Sequence, residues 1–235
     1  MQKTARVAGT LRRVTVLPQE QTSRGPLSLS ERAYAAIQDK LIMLDIPPMA
    51  PIDEVALVES LQVGRTPVRE ALKRLEVDRL VVSYARRGTF ATAVDITDLA
   101  YISEIRVQLE PLAARRAAEG AGPAVRAELN ELADATDGLD VPSLTRDELM
   151  RWDLRVHRSV YRAAANPHLE DTLVRYDNLA TRIFCLFLDR MHDFVSHVEE
   201  HAGLLRTIAE GDADGAARKA RHHVIGFEKA IRAVI

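Results

Sequence analysis

The chain is poor in the residues that commit a sequence early to a special class. Its single cysteine, Cys185, leaves nothing for an intramolecular disulfide framework and fits a reducing cytoplasm. Aromatic residues are only 5% of the 235 positions, while Ala, Leu, Arg and Glu dominate, which favours helices over a β-sandwich. No apolar run approaches the roughly 18 residues that a membrane span requires. Residues Met1 to Pro26 are basic and polar, without the apolar stretch of a signal peptide. With 47% hydrophobic and 28% charged residues, general disorder is excluded. The expectation is a cytoplasmic, mostly helical protein, long enough for one large domain or two modest ones with their own cores.

The net charge of −2 hides an asymmetry. Residues 1–94 hold 14 Lys+Arg against 10 Asp+Glu, whereas the remainder holds 18 against 24. All 7 histidines lie beyond Arg151. A basic front and a histidine-bearing acidic back point to two tasks, one of them with nucleic acid.

Residues 1–27 lack sustained periodicity and read as a flexible arm. From there Ser30 is placed to cap a helix carrying Ala33, Ile37, Leu41 and Leu44, stopped by Pro47-Pro48. Asp53 caps a short second helix with Val55, Val58 and Leu61 inside. A third helix runs from Arg65 to Asp78 with Val68, Leu72 and Leu75 buried, and Pro67 sits harmlessly in its first turn. Two β-like runs follow, Leu80 to Tyr84 and Thr89 to Val94. Three helices and a small hairpin predict a winged helix-turn-helix over 28–94. Residues 95–235 lack strand signals and divide into six helical stretches, near 96–120, 123–138, 143–165, 168–191, 193–210 and 213–234. Their short loops predict an antiparallel bundle. The fold class is therefore mainly α.

The third helix places Arg65 and Arg69 four apart, on one face near an N-terminus that itself favours phosphate. Arginine can bond guanine bidentately, and Thr66 can meet a base or phosphate. Arg86-Arg87-Gly88 at the hairpin tip offers charge to a neighbouring groove. On charge alone a solvated face with salt bridges to Glu70 and Glu76 is the favoured explanation of the arginines; the surrounding helix-turn-helix and wing pattern reverses that. Ile46-Pro47-Pro48, Leu57, Val63-Gly64-Arg65-Thr66-Pro67-Val68-Arg69-Glu70-Ala71-Leu72, Leu75-Glu76 and Arg87-Gly88-Thr89-Phe90 together resemble the DNA-binding domain of GntR-family transcription regulators. The resemblance makes Arg65, Thr66, Pro67, Arg69, Lys73, Arg87 and Gly88 the DNA-contacting residues. It departs at Met49 and Arg79, where the family often has glycine, at Gly64, which replaces the usual Ser or Thr cap, and at Val55-Ala56, which lacks a charged residue.

In the second half, polar residues occupy inward positions. Asp153 and His157 share a face with Leu149, Val156 and Val160. His201 lies in the stripe of Phe194, Val198, Leu205 and Ile208, and His223 in that of Ala216, Ala220, Phe227 and Ile231. His222 falls on a solvated face. One carboxylate and three imidazoles can converge on a divalent metal, Zn²⁺ or Ni²⁺ suiting such donors. His197, one turn before His201, is a rival ligand that periodicity leaves open. For one inward histidine a satisfied core or surface residue is the plainer explanation; three with an inward Asp bring the two readings near even. Asp153-x-x-x-His157, Asn166, Glu200-His201, Ile208-x-x-Gly211-Asp212 and Ala220-Arg221-His222-His223 resemble the FCD-type effector domain of the FadR-like branch. In many members of that branch an Asp and three His hold a metal, which implies Asp153, His157, His201 and His223 here. Arg106, in a seam with Leu99, Ile102, Leu109 and Ala113, needs an anionic partner. Either Glu110 or the carboxylate of a small organic acid effector supplies it.

The expected function is a transcription regulator, not an enzyme: a homodimer on a pseudo-palindromic double-stranded DNA operator, controlled by an acid bound near the metal. The alternative is a metal-dependent hydrolase on the Asp/His cluster, with Glu199 or Glu200 as base. A third reading is a nucleic-acid-binding structural protein whose metal only staples the bundle.

Overall fold

A computed structural model describes residues 27–190 and 194–235, with the side chains of Phe194 and Val195 left aside. The expected arm and the break near His192 lie outside the described residues, except for Leu27. The element order is α1 (Leu29–Ile42), α2 (Glu54–Leu61), α3 (Arg65–Val77), β1 (Val81–Tyr84), β2 (Gly88–Ala91), α4 (Asp98–Gly120), α5 (Pro123–Asp137), α6 (Arg146–Ala163), α7 (Pro167–Phe187), α8 (Phe194–Glu210) and α9 (Ala213–Arg232).

Ser28, not Ser30, caps α1. Its hydroxyl accepts from the Glu31 amide at 3.2 Å while Glu31 accepts from the Ser28 amide at 2.8 Å, a reciprocal box that satisfies two free N–H groups. Ser30 lies inside the first turn and donates to Glu70. Ala33, Ile37 and Leu41 face α3, where Val68, Ala71, Leu72 and Leu75 answer them. Asp53 caps α2 as expected, accepting from Val55 and Ala56 N–H. The inner residue of α2 is Leu57, however, and Val55 is exposed. An eight-residue helix lying across another buries little more than one side chain per turn. The hairpin pairs Val81 with Ala91 and Tyr84 with Gly88, and Pro51 adds a single bridge to Phe90.

In the second half α4 is central, packing on α6, α7, α8 and most extensively α9, while α5 packs on α8. Pro111 interrupts the α4 ladder and leaves the Val107 carbonyl without its helical donor. Arg221 on α9 donates to that carbonyl at 3.4 Å. Arg126 donates to the Ala118, Ala121 and Ala209 carbonyls at 2.8, 2.8 and 2.6 Å. One cation thus ties the C-terminal ends of α4 and α8, where the helix dipole welcomes it.

The halves do not keep separate cores. A continuous cluster runs from Ile37, Leu75 and Val81 through Leu99 and Ile102 to Met150, Ile183 and Phe227. Polar contacts reinforce the seam: Arg182 on α7 donates to the Thr92 hydroxyl at 2.6 Å and carbonyl at 2.8 Å. Arg151 on α6 pairs with Asp39 on α1.

Met49 and Arg79, the two departures from glycine, sit at φ 64° and 61°. A left-handed backbone costs an L-residue roughly 1–2 kcal/mol, and glycine recovers part of this against its larger unfolded entropy. Met49→Gly and Arg79→Gly should each raise stability by about 0.5–1 kcal/mol in urea unfolding; unchanged or lowered midpoints would show that the side chains contribute more than the strain.

Candidate functional site

Two sites carry chemistry. The first is the outward face of α3 with the hairpin tip. Gly64 precedes the helix with no side-chain cap, so its first N–H groups remain open to an outside acceptor. Arg65, Thr66, Arg69 and Lys73 are exposed on α3, Pro67 is half-buried, and Arg87 and Gly88 are exposed at the tip. Arg69 is not paired with Glu70. Its Nε donates to Glu54 on α2 at 3.0 Å, so α2 aims the guanidinium. Glu70 and Glu76 are engaged elsewhere, with the Ser30 hydroxyl and the Ser83 amide. The local salt bridges of the solvated-face reading are therefore absent among the described residues.

The second site is deep in the helical half. Asp153 and His157 on α6, His197 and His201 on α8, and His223 on α9 bring one donor atom each within 4.8 Å of all the others. Four of the five are buried to 5% exposure or less, and His197 to 9%. The Nε2 atoms of His201 and His223 are 3.0 Å apart, and those of His223 and His157 3.3 Å. Two nitrogens at about 2.0–2.1 Å from one ion stand about 2.9 Å apart at an octahedral angle and about 3.3 Å apart at a tetrahedral one. The spacing thus fits a common metal.

The outer nitrogens explain why the inner ones point inward. His223 Nδ1 lies 3.2 Å from a Glu200 carboxylate oxygen. A carboxylate only accepts, so the proton sits on Nδ1 and leaves Nε2 its lone pair. His157 Nδ1 faces Glu110 at 3.4 Å and the Tyr161 hydroxyl at 3.1 Å, with the same result. The inner nitrogens of His157, His201 and His223 and the Asp153 carboxylate thus converge on one point. Asp153 Oδ1 is buried without a well-aligned hydrogen bond, which marks the place.

Electrostatics divides the imidazoles. Burial pushes His157 down, but Glu110, Asp177 and Asp153 more than reverse it and carry it up to about 9. Burial pushes His201 down to about 3, with Asp153 opposing and the neighbouring imidazoles assisting. His223 is held well below its ordinary range by burial and the same neighbours. His201 and His223 are therefore neutral and available as ligands.

Arg106 has the structural partner that the sequence allowed. Its Nε donates to Glu110 at 2.6 Å, and its Nη2 lies 3.2 Å from Asp177 on α7. Burial alone would raise Glu110, yet Arg106 and His157 bring it down to about 2. Asp177 goes the other way: burial raises it, and neither of its oxygens has a hydrogen bond. Sequence reasoning missed Asp177 and the roles of Glu110, Glu200 and Tyr161 beside the histidines. The signal for Glu110 was its i, i+4 spacing from Arg106; Asp177 had none, since only packing of α7 on α4 brings it in. Asn166 and Asp212, which carried part of the resemblance, are caps for α7 and α9. His222 is exposed as expected. It helps line a cavity of about 460 Å³ with Glu199, Glu200, Gly203, Arg218, Lys219 and His223 that opens beside the cluster.

Comparison with known proteins decides the family. The model of the FCD domain matches residues 101–226, more than half of the chain, and that of bacterial regulatory proteins of the gntR family matches residues 29–91. The chain belongs to the GntR family, with an FCD domain. An uncharacterised HTH-type transcriptional regulator of Agrobacterium vitis, from the TAR-I ttuE-ttuC' intergenic region, is 33% identical over 136 residues, 57% of this chain and 79% of that protein. The Nta operon transcriptional regulator of Aminobacter aminovorans is 28% identical over 174 residues, 74% of this chain and 80% of that protein. Among solved structures, E. coli McbR/YncC shares the fold with a TM-score of 0.74 at 22% identity, covering 88% of this chain and 99% of that one. This GntR protein is accordingly a DNA-binding transcription regulator, not an enzyme, and nothing supports the hydrolase alternative. No described helix is long and apolar enough to cross a membrane.

Removing one member of a buried ion pair strands the other and costs about 3–5 kcal/mol. Arg106→Ala should therefore lower the unfolding free energy of the metal-free regulator by that amount in urea. A loss below about 1 kcal/mol would mean that water reaches Glu110 and Asp177.

Proposed function

We propose that this GntR regulator is a cytoplasmic homodimer that binds a pseudo-palindromic operator through residues 28–94 and senses a small organic acid through residues 95–235. The observation that carries the sensing half is the convergence of Asp153, His157, His201 and His223 from three helices on one point. These four residues hold one divalent ion, Zn²⁺ or Ni²⁺, with Glu110 and Glu200 fixing the tautomers of His157 and His223. Bound there, the ion supplies a Lewis-acid centre for the oxygens of an anionic ligand. The cavity beside His223, with Arg218 and Lys219 at its wall, offers an acid a way in. Arg106 lies on the far side of His157 and meets the acid's carboxylate by turning from Asp177, whose contact with it is not a formed hydrogen bond. Asp177 and Arg182 are five residues apart on α7, so a shift at the acid reaches Thr92 and the hairpin. An acid that favours one dimer geometry then changes operator affinity.

Metal analysis tests the cluster. The wild type should retain close to one ion per chain after gel filtration, with His157→Ala and His223→Ala retaining little; equal content in all three would overturn the assignment.

On DNA, Arg65, Thr66, Pro67, Arg69 and Lys73 enter the major groove, with Arg87 and Gly88 at the neighbouring groove. Arg65 supports base reading because it is exposed and makes no ion pair among the described residues. Fluorescence anisotropy on operators selected from random duplexes should show two chains per duplex and a loss of about 1–3 kcal/mol for Arg65→Ala, with relaxed sequence preference. A single chain per duplex would refute the dimer, and undiminished discrimination would remove Arg65 from readout.

A further inference from the structure

The four residues assigned above leave one member of the cluster without a task. His197 is on α8, one turn before His201, so α8 offers two imidazoles at i, i+4 just as α6 offers Asp153 and His157. His197 Nε2 lies 3.3 Å from Asp153 Oδ1, nearer than His201 Nε2 at 3.5 Å or His157 Nε2 at 3.9 Å. Its ring is clamped face to face between His223 (3.9 Å, 19°) and Phe227 (3.9 Å, 22°). An aromatic clamp alone would be served better by phenylalanine, which hides no polar nitrogen in an apolar stack. An imidazole whose faces are fixed and whose edge looks at Asp153 is oriented as a donor.

We propose that His197 is a fifth protein ligand of the same ion, an inference that rests on the metal reading above. Two i, i+4 pairs from α6 and α8 and the single His223 from α9 make the set. Five protein donors are more than a tetrahedral ion accepts and leave one position on a six-coordinate one. An acid therefore reaches the metal through a single oxygen, unless it displaces a histidine. With its stack on Phe227 and its place in the first turn of α8, His197 is the histidine whose release would free that turn.

The test counts imidazoles. Loaded with Co²⁺, the wild type should show four hyperfine-shifted, solvent-exchangeable imidazole N–H resonances, and His197→Phe, which keeps the stack, should show three. Competition with a chromophoric chelator should find Zn²⁺ bound at least about 10-fold more weakly by His197→Phe, no less than the loss of an outer-shell partner causes. Three resonances from the wild type would overturn the proposal without reference to any variant. Unchanged Zn²⁺ affinity in His197→Phe, beside a large loss in His201→Ala, would overturn it and leave the four-ligand site standing. No uptake of Co²⁺ or Zn²⁺ by the wild type would remove both.

Discussion

An ionised carboxylate at the centre of a helical bundle is the constraint on which the second half of the molecule turns. Asp153 is buried among imidazoles and is held well below its ordinary range: burial opposes this, and His157, His197 and His201 overcome it. Such a group is tolerated only while positive charge shares its space. The surrounding helices are arranged to meet that condition. Glu110 and Glu200 hold protons on the outer nitrogens of His157 and His223, which turns the inner nitrogens toward Asp153. Arg106 in turn neutralises Glu110, and Asp177 stands beside Arg106 with unmet bonding capacity. The positive charge facing Asp153 is the His157 imidazolium, which Glu110, Asp177 and Asp153 hold up at about 9 despite its burial, and a divalent ion bound there would have to displace that proton.

Much of this was legible in the chain. Helical spacing alone placed Leu149, Asp153, Val156, His157 and Val160 on one inner face, because an i, i+4 relation survives any packing arrangement. It did the same for His201 and His223. The DNA-facing helix was legible for another reason: the Arg-Thr-Pro-Val-Arg-Glu-Ala-Leu run is specific in itself and stands between a turn and a hairpin. What escaped were relations across the fold. Asp177 meets Arg106 only because α7 crosses α4, and Glu54 meets Arg69 only because α2 leans on α3; no spacing in the chain encodes either. Ser28 was missed as the α1 cap in favour of Ser30, although the Ser28/Glu31 pair carries the three-residue spacing of a capping box. Both serines precede the apolar positions, and only the second partner separates them.

Family departures acquire a physical meaning in the same way. Met49 and Arg79 both adopt left-handed backbone, so glycine at those places elsewhere answers a conformational demand that this chain meets with strain. Met49 remains mostly exposed, so its side chain gains little burial in exchange. Arg79 lies where the chain leaves α3 and turns into β1, and its carbonyl accepts from the Thr92 hydroxyl at 2.9 Å. Thr92 is also the residue that Arg182 grips. The strained turn, the end of the hairpin and α7 are thus joined through one threonine.

That junction bears on how the molecule folds and how such proteins can be recombined. The apolar cluster that α1 and α3 close around continues into α6, α7 and α9, so the two halves share buried surface where they meet. Loss of either half exposes apolar surface belonging to both, so the stability of each is coupled to the other. A foreign winged helix joined to this bundle at the same point would leave the buried Arg182 only a main-chain carbonyl to hold unless it also brought a threonine. The boundary residues 93–98 stay exposed or half-buried, and it is the elements on either side of them that share the interior.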